Sequence, residues 1–81
     1  MSLTVRYFAA LRERMGMAEE TVTAPAATGE QLIDWLIERD ALAEILAHPS
    51  TRIIVNDEIV PRVHALKAGD TVAFCPPFSG G

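Results

Sequence analysis

The sequence has one cysteine, Cys75, which excludes an internal disulfide and any thiolate cage for zinc or an iron–sulfur cluster. A reducing compartment is therefore expected. Long apolar runs are also missing: residues 7–11 and 72–75 are among the longest, against the roughly 18 residues needed to span a bilayer. No membrane segment is expected. The opening Met1-Ser2-Leu3-Thr4-Val5-Arg6 lacks a basic leader followed by an apolar core and a small-residue cleavage site, so the expected location is cytoplasmic. Basic charge is scarce as well, with 7 Lys and Arg against 11 Asp and Glu for a formal net charge of -4. Such a chain repels phosphate backbones and anionic lipid, and nucleic acid is not an expected partner. Finally, 81 residues allow one domain with a thin core, since a chain this short buries only roughly 60 to 65% of its unfolded surface. A deep catalytic cleft is not expected.

What is present reads as a small α+β domain. Leu3, Val5 and Tyr7 alternate with Thr4 and Arg6, the period of a half-buried strand. Leu11 and Met15 stand one helical turn apart, with Gly16 available to end a short helix. The β-branched stretch around Thr21-Val22-Thr23 predicts a second strand over 19–24, antiparallel to the first and closed by Pro25. Thr28 followed by Gln31 is a capping box, so the main helix begins near Gly29. Leu32, Ile33, Leu36 and Ile37 form its apolar stripe, while Glu30, Asp34 and Glu38 face water. Continuing the helix would bring Arg39 and Asp40 toward that stripe, which predicts a break with Asp40 capping a second turn built on Leu42, Ile45 and Leu46. The run 52–55, the Asn56-Asp57 pair and Ile59-Val60 predict a hairpin, and Gly69-Asp70 turns the chain into a last strand over 71–75. The order is ββαβββ.

Composition changes only at the end, dividing the chain into a domain over 1–75 and an extended tail over 76–81. Pro76 and Pro77 remove backbone donors, so strand pairing stops there. Six residues reach roughly 20 Å, and a final Gly80-Gly81 passes through a channel too narrow for a Cβ. The group presented is the Gly81 carboxylate, an anion at neutral pH that is inert to nucleophiles until activated from outside. If a partner adenylates it, the anhydride is open to attack by sulfide or persulfide, and the Gly81 end can carry a thiocarboxylate or form an acyl bond.

The stretch Leu66-Lys67-Ala68-Gly69-Asp70-Thr71-Val72-Ala73-Phe74-Cys75-Pro76-Pro77-Phe78-Ser79-Gly80-Gly81 closely resembles the C-terminus of the molybdopterin synthase small subunits, the MoaD-type sulfur carriers. Tyr7-Phe8-Ala9 with Leu11-Arg12-Glu13 is similar to the opening of that family, and Ile54-Val55-Asn56 to its central hairpin. The resemblance implies a ubiquitin-like β-grasp, a mixed sheet of about five strands on one main helix with a flexible Gly-Gly tail. It implies that Gly81 is the carrier residue and that Pro76, Pro77, Phe78, Ser79 and Gly80 thread it into the large subunit. It also implies that an adenylyltransferase activates the tail with ATP and that a sulfurtransferase supplies the sulfur. Two sulfurs then go in turn to cyclic pyranopterin monophosphate to make the molybdopterin dithiolene, in an assembly of two small and two large subunits. Cys75 replaces a usual aromatic residue, and Phe78 a smaller aliphatic one.

A docking face is also legible. Phe8 shares the parity of Thr4 and Arg6, and Cys75 that of Ala73, so both are expected on the sheet face away from the helix. Ile59 matches a contact position of the family and joins them as an interface residue, although its strand is too short to fix its facing. His48 and His64 form no nucleophile elbow or metal set with Asp40, Asp57, Asp70 or Ser79, so neither a metal nor a bound cofactor is expected. His48 reads as a helix end, His64 as loop, and Trp35 as helix packing. Other readings are a carrier for thiazole formation or another sulfur pathway, a ubiquitin-like protein modifier, and a plain interaction module. An enzyme acting alone comes last.

Overall fold

The computed structural model describes residues 1–75. In chain order the elements are β1 (Ser2–Tyr7), α1 (Ala10–Met15), β2 (Glu19–Thr23), α2 (Gly29–Arg39), a 3-10 helix (Ala41–Ala47), β3 (Arg52–Val55), β4 (Glu58–Val60) and β5 (Thr71–Cys75). The strands form one sheet in the order β2-β1-β5-β3-β4. β1 and β5 pair in parallel at the centre, and every other neighbour is antiparallel. This mixed five-stranded sheet packed on one helix is the β-grasp fold.

The alternation in β1 does what the sequence implies: Leu3, Val5 and Tyr7 are buried while Arg6 is exposed. Across the same inner face lie Val22, Val72, Phe74, Ile53 and Val55, all buried. Helix α2 covers them with Leu32, Ile33 and Leu36, and Ile37 packs at the margin. Burial of one such aliphatic side chain stabilises the fold by roughly 1.5 to 3 kcal/mol, so this face anchors the molecule.

Helix α2 starts as the capping box predicts, with a local difference. The Gln31 amide donates to Thr28 Oγ1 at 3.2 Å, but the Gln31 side chain accepts from the Ala27 amide at 2.8 Å, one residue earlier than in the standard box. The Gly29 and Glu30 amides donate to the carbonyls of His64 and Arg62, so the loop after β4 closes the helix N-terminus.

The break after Arg39 is real, and Asp40 Oδ1 accepts from the Leu42 amide at 2.9 Å. The turn that follows is a 3-10 helix of 7 residues, which changes its inward face. Ala43 and Leu46 are buried, Ile45 is partly buried, and Leu42 is exposed, contrary to the sequence expectation. Three residues per turn place 43 and 46 one above the other, where an α-helical period would have brought in Leu42. Strand β2 ends at Thr23, one residue short of the expected bound. At the β3–β4 turn both Asn56 and Asp57 have positive φ, 49° and 71°, as a two-residue hairpin connection requires.

Candidate functional site

The outer face of the sheet, away from α2, follows from strand register. Arg6 lies opposite Ala73, Ala73 opposite Ile54, and Ile54 opposite Ile59, so one row crosses four strands on this side. Cys75 lies two residues beyond Ala73 on the same face, directly across from Arg52. Phe8 continues the outer parity of β1: its amide donates to the Phe74 carbonyl at 3.2 Å, and the Arg6 guanidinium sits 5.3 Å from its ring centre. Phe8, Ile59 and Cys75 are thus brought to one face. Register settles the facing of Ile59, which is 65% exposed and could not be oriented from its own strand.

Ile54 and Arg52 belong to the same face and were missed in the sequence, whereas Arg6 and the buried Ala73 were placed there by their parity with Phe8 and Cys75. Ile54 was hidden because 53–55 is uniformly apolar, so period-2 alternation marks neither face. Ile53 and Val55 are buried and Ile54 is half-buried.

Cys75 is half-buried with a free thiol at the end of β5. The predicted threading residues Pro76, Pro77, Phe78, Ser79 and Gly80, together with the predicted carrier Gly81, lie outside the described residues. What the structure supplies is their point of departure, the end of a central strand beside the apolar row.

The remaining polar groups are structural ties. Tyr7 donates its hydroxyl to Glu20 at 2.8 Å, and Arg39 grips the same carboxylate with two nitrogens at 2.8 and 2.7 Å. The Arg39 hydrogen bonds are the main cause holding the Glu20 carboxyl below its ordinary range. Burial, then the anion beside it, push the Tyr7 phenol far upward, so it stays protonated. Arg39 also lies 5.3 Å from the half-buried Trp35 ring, which makes Trp35 part of this helix-to-sheet clamp. At the far end of β5, Asp70 accepts from the Asn56 side chain and the Lys67 amide, which lower its carboxyl and stitch two turns together. His48 caps the 3-10 helix and accepts from the Ser50 amide, and His64 lies in the loop after β4. Among the described residues, no group of three or more His, Cys, Asp or Glu could hold a metal ion. None of their helices is long and apolar enough to cross a membrane.

A central strand that ends at a Pro-Pro-Phe-Ser-Gly-Gly segment, on a β-grasp sheet with an apolar outer row, meets a family model that matches residues 5–81. The chain belongs to the ThiS family. Within this family setting, the chain is 32% identical over 80 residues to the molybdopterin synthase sulfur carrier subunit of Haemophilus influenzae, covering 98% of this chain and 99% of that protein. Among solved structures, SAMP1 from Haloferax volcanii superposes with a TM-score of 0.83 at 27% identity, covering 100% of both chains. The protein–protein complex of subunits 1 and 2 of molybdopterin-converting factor from Helicobacter pylori also matches, with a TM-score of 0.69 at 26% identity over 100% of both chains.

Proposed function

We propose that this ThiS-family chain is the sulfur carrier subunit of a molybdopterin synthase. The observation that carries the reading is full-length likeness to a carrier subunit of that name, in a chain whose family match runs through Gly80 and Gly81. In this reading the domain over 1–75 is the handle and 76–81 the arm. The partner adenylyltransferase joins the Gly81 carboxylate to AMP from ATP, releasing pyrophosphate. A sulfide-level nucleophile then forms the C–S bond as AMP leaves, and the resulting thiocarboxylate is the cargo. Inside the large subunit, sulfur bonds to the pyranopterin and water regenerates the carboxylate, one carrier for each of the two sulfurs. The chain itself holds no cofactor, and the sulfurtransferase, the adenylyltransferase and the large subunit are its partners, the last in a two-plus-two assembly.

Phe8, Ile59 and Cys75 are the docking contacts in this reading, supported by their convergence on one outer face at the root of the tail. The test is reconstitution with the large subunit and cyclic pyranopterin monophosphate. Deleting Gly80 and Gly81 is expected to abolish dithiolene formation with the melting temperature unchanged. Full activity of the truncated chain would refute the carrier role.

A second reading, a protein modifier joined through Gly81 to lysines, draws on the likeness to SAMP1, a small archaeal modifier protein. It predicts lysine conjugates on denaturing gels of cells expressing the chain. Their absence, with molybdopterin synthesis intact, decides for the first reading.

A further inference from the structure

The outer face has a charge pattern of its own. The chain carries a net charge of -4, yet Glu19 is the one acidic side chain that a strand places on this face, opposite Arg6 in register. Glu20 and Glu58 share the parity of Val22 and Val55 and lie on the other side. Arg6 is already engaged, 4.0 Å from Glu19 and stacked on Phe8. Arg52 is different. It is exposed, lies directly across from Cys75, and among the described residues has no carboxylate within ion-pair distance.

An uncompensated guanidinium beside an apolar row, on a protein that is otherwise negative, favours a complementary carboxylate over a neutral or basic neighbour. We propose that Arg52 pairs with a carboxylate at the edge of an apolar patch on the large subunit, and so sets the register in which the root of the tail is presented. The inference rests on the reading that this face docks the large subunit, and it adds the chemistry of the facing surface. Two consequences follow from Coulomb's law. The acidic helix side, with Glu30, Asp34, Glu38 and Glu44 exposed, turns away from an acidic-edged partner, which orients the encounter. Salt screens the attraction and so weakens association.

The test is titration of the full chain with the large subunit of the same organism, at about 50 and about 500 mM salt, where the screening length falls several-fold. Arg52→Glu is expected to weaken binding about tenfold or more at low salt and to lose less, or regain, affinity as salt rises, because salt screens the new carboxylate–carboxylate repulsion, with the melting temperature unchanged. Ile59→Asp, which disturbs the apolar row instead, is expected to weaken binding at both salt concentrations. If Arg52→Glu binds as the unmodified chain does while Ile59→Asp fails, the pairing is refuted and the docking face stands. If both variants bind normally, the docking face is wrong and the role of Arg52 falls with it.

Discussion

Glu20 shows how one side chain ties the sheet to the helix. It sits on the inner parity of β2, receives the Tyr7 hydroxyl and is clamped by Arg39 from the end of α2. Its carboxyl is held low in the folded chain, so its contribution is complete above the ordinary value of 4.5 and is lost as pH falls through the lowered folded value. Glu20→Gln is therefore expected to lower stability at neutral pH by about 1 to 3 kcal/mol. The gap from the unmodified chain narrows in acid, as denaturant titrations at a series of pH values would show. A difference independent of pH would contradict the assignment. Ala9 is a second single-residue case: with φ of 51° it occupies a region that favours glycine, between Phe8 and the start of α1. Ala9→Gly relieves that strain and is expected to stabilise the chain by about 1 kcal/mol, read as a higher denaturation midpoint. Nothing in the sequence around Ala9 announced it, because an alanine carries no mark of an unusual backbone.

At the scale of elements, helix α2 was legible because its cap, stripe and end each left a residue-level trace in Thr28, Leu32–Leu36 and Asp40. The 3-10 turn was legible in place and not in period: Asp40 marks its start, but nothing local distinguishes three residues per turn from 3.6, and Leu42 was assigned inward in consequence. The strand faces divide the same way. Phe8 and Cys75 could be oriented by counting along their strands, whereas Ile59 and Ile54 needed the register of neighbours far away in sequence. Gly29 belongs to this scale too. A Cβ there would meet Ile53 Cδ1 at 3.1 Å and the Arg62 carbonyl oxygen at 3.2 Å, because the loop after β4 seats on the helix start. The Arg62 backbone cannot retreat freely, since its carbonyl accepts from Glu30 and its guanidinium is fixed on the carbonyls of Leu46 and His48. Gly29→Ala, ordinarily favourable in a helix, is expected here to destabilise by about 1 kcal/mol. Thermal melting checks it, and a rise in melting temperature would show that the loop yields.

At the scale of the whole molecule, the β-grasp domain gathers apolar side chains and two arginines on its outer face, and in the proposed function residues 76–81 are the arm that carries the chemistry. Within the domain, the titratable groups of Tyr7–Glu20–Arg39 and Asn56–Asp70 are engaged as ties between elements. The proposal that the arm is the reactive part comes from the sequence alone, from Pro76, Pro77, Gly80 and Gly81, which lie outside the described residues. The charge segregation was not readable, because it exists only once β1, β3 and β5 lie side by side. The proposed carrier role turns on the chemical state of one carboxyl group, and intact-mass spectrometry of the chain co-expressed with the proposed adenylyltransferase and sulfurtransferase reads that state directly. It predicts a species heavier by the replacement of one oxygen with sulfur, localised to Gly81 by fragmentation. Unmodified carboxylate alone, with the activating enzyme demonstrably forming the adenylate, would contradict it.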